Sequence, residues 1–213
     1  DVPVVASAIA VSSEGTLYFV DIGDSVLLTV WRIRDGRVEL VAGGKPGFGP
    51  ASGAIDQLRV NGLEGLAVAP DGSLLVADPE NRVIHRLDLA GGTYRREAGV
   101  GFGQDGCRIG DDCPAELSEL VSPGLVVCSP SDHEFLSDGM LGVVELEAHR
   151  NLSLVTATSG ARIELGASFE YGRPSLEYSA QVLDIAVDSS GNLYISDNLR
   201  KGLLVVRADN AHW

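Results

Sequence analysis

Several features are scarce or missing in this chain, and each shortage excludes something. No window shows sustained helical spacing, so an α/β reading lacks the crossover helices that it needs. No apolar stretch approaches the length of about 20 residues that spans a bilayer as a helix, so membrane insertion is not expected. Positive charge is scarce: sixteen basic residues face thirty acidic ones, for a net charge of −14. A nucleic acid would meet a repulsive field, and the two basic stretches, "WRIRDGR" (31–37) and "YRREAG" (94–99), are interrupted by acids. Only Lys45 and Lys201 are lysines, a bias that carries no chemistry.

Catalytic patterns are missing too. His85, His133, His149 and His212 share no H-x-H or H-x-x-x-H spacing, and no G-x-S-x-G is present. His133 sits in a polar turn and reads as a surface residue. The acids Asp105, Asp111 and Asp112 cluster without EF-hand spacing and read as a solvated loop. No cofactor is implied. At 45% apolar and 22% charged, 213 residues suffice to bury a sizeable core as one domain. The chain opens on "DVPVVASAIAV" with no basic or apolar leader, so a signal peptide is already removed or the chain starts inside a longer protein.

What the sequence does have is a repeat. "EGTLYFVDIGDS", "DGSLLVADPENR", "SDHEFLSDGMLG" and "SGNLYISDNLRK" align on Asp21, Asp78, Asp138 and Asp197, which lie 57, 60 and 59 residues apart. Each aspartate ends an apolar run, and a shorter run precedes it across a Gly/Asp/Ser/Pro turn: "AIAVS", "GLAVA", "GLVVC" and "DIAVD". Third strands follow as "LLTVWRI", "RVIHRLDL", "LGVVELE" and "GLLVVRA", and fourth strands in three units as "RVELVAG", "TYRREAG" and "LSLVTAT". The fold class expected is therefore all-β: a β-propeller of four blades, each of four antiparallel strands. The repeats run over about 6–43, 63–99, 123–159 and 182–213, with long connectors at 44–62, 100–122 and 160–181. The fourth unit has no room for an outer strand, so residues 2 to 5 are expected to supply it and close the ring.

"GLAVAPDGSLLVADPENRVIHRLD" and "DIAVDSSGNLYISDNLRKGLLVV" resemble NHL repeats: an apolar strand, a Gly turn, an apolar-aromatic strand ending in Asp, an Asn-containing turn and a strand with a basic residue. The connectors resemble the Gly-rich segments between blades of bacterial NHL proteins and of teneurin-like cell-surface propellers. The third unit departs from the pattern, because "SPSDHEFLSDGML" lacks the turn Gly and the Asn. The resemblance implies an extracellular or cell-surface module for protein binding, adhesion or assembly. A lactonase- or lyase-type propeller enzyme with an axial metal site, and a fragment packing within a larger propeller or filament, remain as alternatives.

A catalytic base breaks symmetry, whereas Asp21, Asp78, Asp138 and Asp197 recur in every unit at a strand-to-turn junction. Each is expected to accept hydrogen bonds from backbone N–H groups one to three residues on and so close its turn. Cys107 and Cys113 bracket a Gly-containing loop and suit a local disulfide, while Cys128, ending "GLVVC", reads as a small buried residue. Asn151-Leu152-Ser153 is an N-glycosylation sequon. Strand parity puts the long connectors on the same side as the turns that follow the shared aspartates. That face carries Phe48, Phe102, Phe169, Tyr171 and Tyr178, and a protein or glycan partner is expected there, with self-assembly as a further option.

Overall fold

The computed structural model describes residues 5–23, 28–107, 114–139, 142–147, 151–154, 182–197 and 202–207. These residues form four antiparallel sheets that follow one another along the chain. The first holds β1 (Ala6–Val11), β2 (Leu17–Asp21), β3 (Thr29–Arg34) and β4 (Arg37–Gly43) in that order. The second adds an outer strand, β5 (Ser52–Ala54), to the sequential run β6 (Leu66–Val68), β7 (Leu74–Asp78), β8 (Val83–Asp88) and β9 (Thr93–Ala98). The third holds β10 (Pro123–Cys128), β11 (Glu134–Asp138), β12 (Gly142–Glu147) and β13 (Asn151–Leu154), and the fourth β14 (Val182–Val187), β15 (Leu193–Asp197) and β16 (Gly202–Val206).

The strands form where the sequence is apolar on both alternating sets of positions, and the packing explains why. In β7, Leu74 and Val76 point at the first sheet and join Tyr18, Val20, Val30 and Ala42 in one core cluster. Leu75 and Ala77, one residue out of phase, point the other way and meet Val126, Leu136, Val144 and Leu146 of the third sheet. Phe135 and Val143 of the third sheet then meet Ile185, Leu193, Ile195 and Val206 of the fourth. The sheets stack face to face in chain order, and each fully buried Leu, Val or Phe contributes about 1.5–3 kcal/mol relative to its exposed state. The inner edges run β1 to β6 to β10 to β14, which brings the first strands of the four sheets together.

Two expectations need correction. Connector 44–62 is not wholly a loop: Ser52–Ala54 pairs antiparallel with Arg95–Thr93 and makes the second sheet five-stranded rather than four-stranded. A Gly-Pro-rich segment gave no strand pattern, and the pairing is supplied by the open edge of β9. Nor does Val5 reach the last sheet. Its carbonyl accepts a hydrogen bond from Ile22 N at 2.9 Å, so it prolongs β1 beside β2 in the first sheet. Residues 2–4 lie outside the described residues, and among the described residues β16 is paired on one side only.

The first strands approach so closely that one position has no room for a side chain. A Cβ at Gly65 would lie 2.1 Å from the carbonyl oxygen of Gly124 in the third sheet and 3.0 Å from Val126 N. Both obstacles are backbone and cannot rotate away. Gly65→Ala is therefore expected to cost at least about 2–3 kcal/mol, read as a lower urea midpoint at unchanged slope. A midpoint within error of the unsubstituted protein would show that the two inner strands are not locked together.

Candidate functional site

The shared aspartates reach further than their own turns. Asp78 is completely buried, and its carboxylate accepts hydrogen bonds from Gly62 N (2.9 Å), Asn61 N (3.3 Å), Asn81 N (3.2 Å) and Asn81 Nδ2 (2.7 Å). Asn81 Nδ2 also donates to Gly47 O, Asn61 Nδ2 donates to Asn81 Oδ1, and Gly47 N donates to Asn61 Oδ1. The connector 44–62 is thereby tied at both of its ends to the turn 79–82. Asp138 accepts from Val121 N (2.7 Å) and Ser122 N (3.2 Å), and Asp21 from Val5 N (3.2 Å) and Gly23 N (2.9 Å). Turn closure, as expected, is present for Asp21 and Asp78. The shared feature is different: in all three cases the carboxylate holds backbone N–H groups 16 or 17 residues upstream, where the chain enters the sheet. The Asp197 side chain lies outside the described residues. His85, also buried, has Nε2 3.7 Å from Asp78 Oδ2 and meets Tyr94 edge-on.

Above this network sit two of the five aromatic residues singled out in the sequence. Phe48 is 41% exposed with the Arg96 guanidinium 4.9 Å from its ring centre, and Phe102 is 62% exposed with Arg82 at 5.0 Å. Phe102 N donates to Asn81 O at 2.9 Å, so connectors 44–62 and 100–122 meet around the same turn. Arg96 Nη1 is fixed on Val100 O at 2.7 Å. Burial lowers the Arg96 pKa below the usual arginine value, and the Tyr94 phenol opposes that shift. Phe169, Tyr171 and Tyr178 lie outside the described residues.

At the inner edge a cavity of about 560 Å³ opens, lined by Ser7, Glu64, Ser122, Gly124, Leu125, Ser137, Asp138, Gly139, Val182 and Leu183. All four sheets contribute to it. Ser7 Oγ donates to Leu63 O, Ser137 Oγ accepts from Leu125 N, and Asp138 is engaged by the chain entering β10. Glu64 is exposed and offers a carboxylate to this space. The donor set suits hydrogen bonding to a polar ligand. Among the described residues, no three His, Cys, Asp or Glu side chains cluster with metal-binding geometry.

On the opposite side, the structure holds a charged cluster that the sequence did not announce. Arg86, only 2% exposed, contacts Asp71 (3.1 Å), Ser73 Oγ (2.5 Å), Glu97 (3.2 Å) and Glu134, the last from the third sheet. Arg95 adds a second cation to Glu97 at 2.8 Å. His133, expected at the surface, is half-buried, with Nδ1 2.8 Å from the buried Glu145 carboxylate. Cys128 is a free thiol, which burial pushes up to about 12. The backbone of Cys107 pairs in parallel with that of Ser118 as an isolated β-bridge, and Cys113, Asp111 and Asp112 lie outside the described residues. Asn151 begins β13, opposite Glu147, and its side chain lies outside the described residues.

Burial sets the worth of each aspartate. Asp78→Ala strands the N–H groups of Gly62 and Asn81 in the interior and is expected to cost about 3 kcal/mol or more, while Asp21→Ala, at a half-exposed site, should cost about 1 kcal/mol. Urea unfolding of the two variants measures the contrast. Equal costs would mean that the stapling of the connector adds nothing.

No protein-family model matches the chain. It is 28% identical over 142 residues to NHL repeat-containing protein 2 of Bos taurus, an alignment covering 65% of this chain and 18% of that protein. In fold it is similar to a protein of unknown function from Bacteroides thetaiotaomicron, with a TM-score of 0.59 at 17% identity over 95% of this chain and 47% of the other. It is also similar to virginiamycin B lyase from Staphylococcus aureus, with a TM-score of 0.56 at 12% identity over 97% of this chain and 53% of the other. The chain thus spans under a fifth of the length of the bovine relative and about half of each solved structure. The chain is thus all-β, similar in sequence to an NHL repeat-containing protein and in fold to propeller-type proteins.

Proposed function

We propose that the chain is a non-catalytic, extracellular interaction module that presents its long-connector face to a protein or glycan partner. The observation that carries this reading is the pair of exposed rings, Phe48 and Phe102, each under an arginine and both on connectors fastened to Asn81. An aromatic held in place by its scaffold loses little conformational entropy on binding, and Arg and aromatic side chains are the usual anchors of interfaces. The partner is not a polyanion: Arg32 and Arg95 are paired with Glu39 and Glu97, and the chain as a whole is strongly acidic. An oxidised Cys107–Cys113 pair and a glycan on Asn151 would fit the same compartment.

A second reading rests on the cavity at the inner edge, where Glu64 and the serine hydroxyls could serve a lyase-type or lactonase-type enzyme with an axial metal. Virginiamycin B lyase among the similar folds supports it at the level of fold. The metal content of the purified protein separates the two readings.

Two outcomes are expected. Phe102→Ala should weaken capture of the partner by at least about tenfold, because the ring is an anchor, and leave the melting temperature nearly unchanged, because the ring is exposed. A large loss of stability, or a partner footprint on the outer strands, would overturn the assignment of this face. In thiol titration without reductant at mildly alkaline pH, the folded protein should show no fast-reacting group, since the Cys128 thiolate is suppressed, and the unfolded protein one. Three groups after unfolding would remove the disulfide and with it part of the extracellular argument.

A further inference from the structure

The chain holds one Asn-Gly pair, Asn61–Gly62, and it lies where the Asp78 network meets connector 44–62. Asparagine before glycine is the context in which an amide side chain is lost most readily, because glycine has no side chain to keep its backbone nitrogen away from the Asn Cγ. Asn61 is exposed, so water and base reach it. Every group that the reaction uses is nevertheless held. Gly62 N, the attacking atom, donates to Asp78 Oδ1 at 2.9 Å. Asn61 Oδ1 accepts from Gly47 N at 2.8 Å, and Asn61 Nδ2, the leaving nitrogen, donates to Asn81 Oδ1 at 2.7 Å. Asn81 is buried and is itself fixed by Asp78 Oδ2 and Gly47 O. Ring closure turns the Asn61 amide onto Gly62 N and breaks all three bonds, so it has to wait until the connector opens.

We propose that Asn61 is a modification site, converted to aspartate and isoaspartate at a rate set by the opening of connector 44–62, and that the converted connector no longer closes as before. In the first step Gly62 N bonds to Asn61 Cγ, the Cγ–Nδ2 bond breaks, and the amide nitrogen leaves as ammonia with the proton from Gly62 N. Water then opens the cyclic imide. Attack at Cγ gives aspartate, and attack at the Asn61 backbone carbonyl gives isoaspartate. One water enters and one ammonia leaves, with no change of oxidation state. Neither product restores the staple. The aspartate keeps the bond from Gly47 N but has no donor for Asn81 Oδ1, and it brings a second carboxylate beside the buried Asp78–Asn81 pair. The isoaspartate routes the main chain through Cγ and lengthens it there, which displaces Gly62 N from Asp78. Either change loosens the connector beside Phe48, and neither depends on the proposed function.

Incubation of the 213-residue protein at mildly alkaline pH, with mass spectrometry and chromatography of the fragment that contains Asn61, reads the rate against a synthetic peptide of residues 57–66. Conversion in the folded protein should be at least about tenfold slower than in the peptide, and Asn81→Ala, which removes the acceptor for Asn61 Nδ2, should recover most of that difference. Hydrogen exchange at the Gly62 amide reads the same opening in the unsubstituted protein, so the test does not depend on the folding of the variant. The slowing of conversion should match the protection of Gly62 N–H within about threefold. Asn61→Asp should lower the urea midpoint, since the staple does not re-form. Conversion at the rate of the peptide, a folded Asn81→Ala variant that converts as slowly as the unsubstituted protein, or a slowing that departs from the Gly62 protection by more than about tenfold would each overturn the proposal. An unchanged midpoint for Asn61→Asp would overturn its second half.

Discussion

A sheet that lies between two others must be apolar on both faces, and that constraint governs this molecule. It replaces the usual alternation of apolar and polar residues by runs such as Leu74–Leu75–Val76–Ala77, all four completely buried. It also fixes the register, since a slip of one residue would exchange the side chains meant for one neighbour with those meant for the other. Where the inner strands converge it leaves no room for a side chain, as the distance from Gly65 to the Gly124 carbonyl shows. Polar residues are displaced to the turns, and any that remain inside must bring their own partners.

Among the described residues, Arg86 and Asp78 are two of the cases in which they do. Arg86 crosses from the second sheet to Glu134 of the third and satisfies acids from a turn and from two strands at once. Such a group adds little net stability against an apolar residue of equal size, yet removing one partner leaves a buried charge that costs about 3–5 kcal/mol. It therefore acts on specificity, admitting one arrangement of the second and third sheets. Asp78 does for the connectors what Arg86 does for the sheets. A carboxylate that collects several N–H groups fixes the segment carrying them, and the long loops become extensions of a rigid frame.

The repeat, the strands and the all-β class were legible because they rest on local pattern: apolar runs, a turn, an aspartate at constant spacing. The third unit shows how far that holds. It lacks the turn glycine, yet Asp132 adopts φ +67°, the conformation that Gly15, Gly72 and Gly191 supply in the other units at φ +80°, +83° and +84°. Aspartate tolerates this region, so the turn survives the substitution. What stayed hidden depends on distant pairing. β5 is three residues of small side chains recruited by an open edge, Arg86 meets acids up to 48 residues away, and the upstream N–H groups held by each aspartate carry no signature of their own. Their constant offset of 16 or 17 residues, visible in "RVNG" and "LVSPG", was the one signal available.

On the proposed reading, function in such a frame falls to whatever departs from the repeat. Four similar units give four similar turns on one side, and these offer a partner nothing to distinguish one unit from the next. The connectors differ in length and content, and the Asp78–Asn81 network joins two of them where Phe48 and Phe102 emerge. The arginine over each ring is itself anchored to the frame in one case, through Arg96 and Val100. The cation–π contact contributes only about 0.5–1 kcal/mol at an exposed site. On the proposed reading, its larger effect is to fix the orientation of the ring in advance of binding. On the proposed reading, a surface ordered in this way by folding has less left to lose on binding, because the buried aspartate beneath it holds the connectors that carry the two rings.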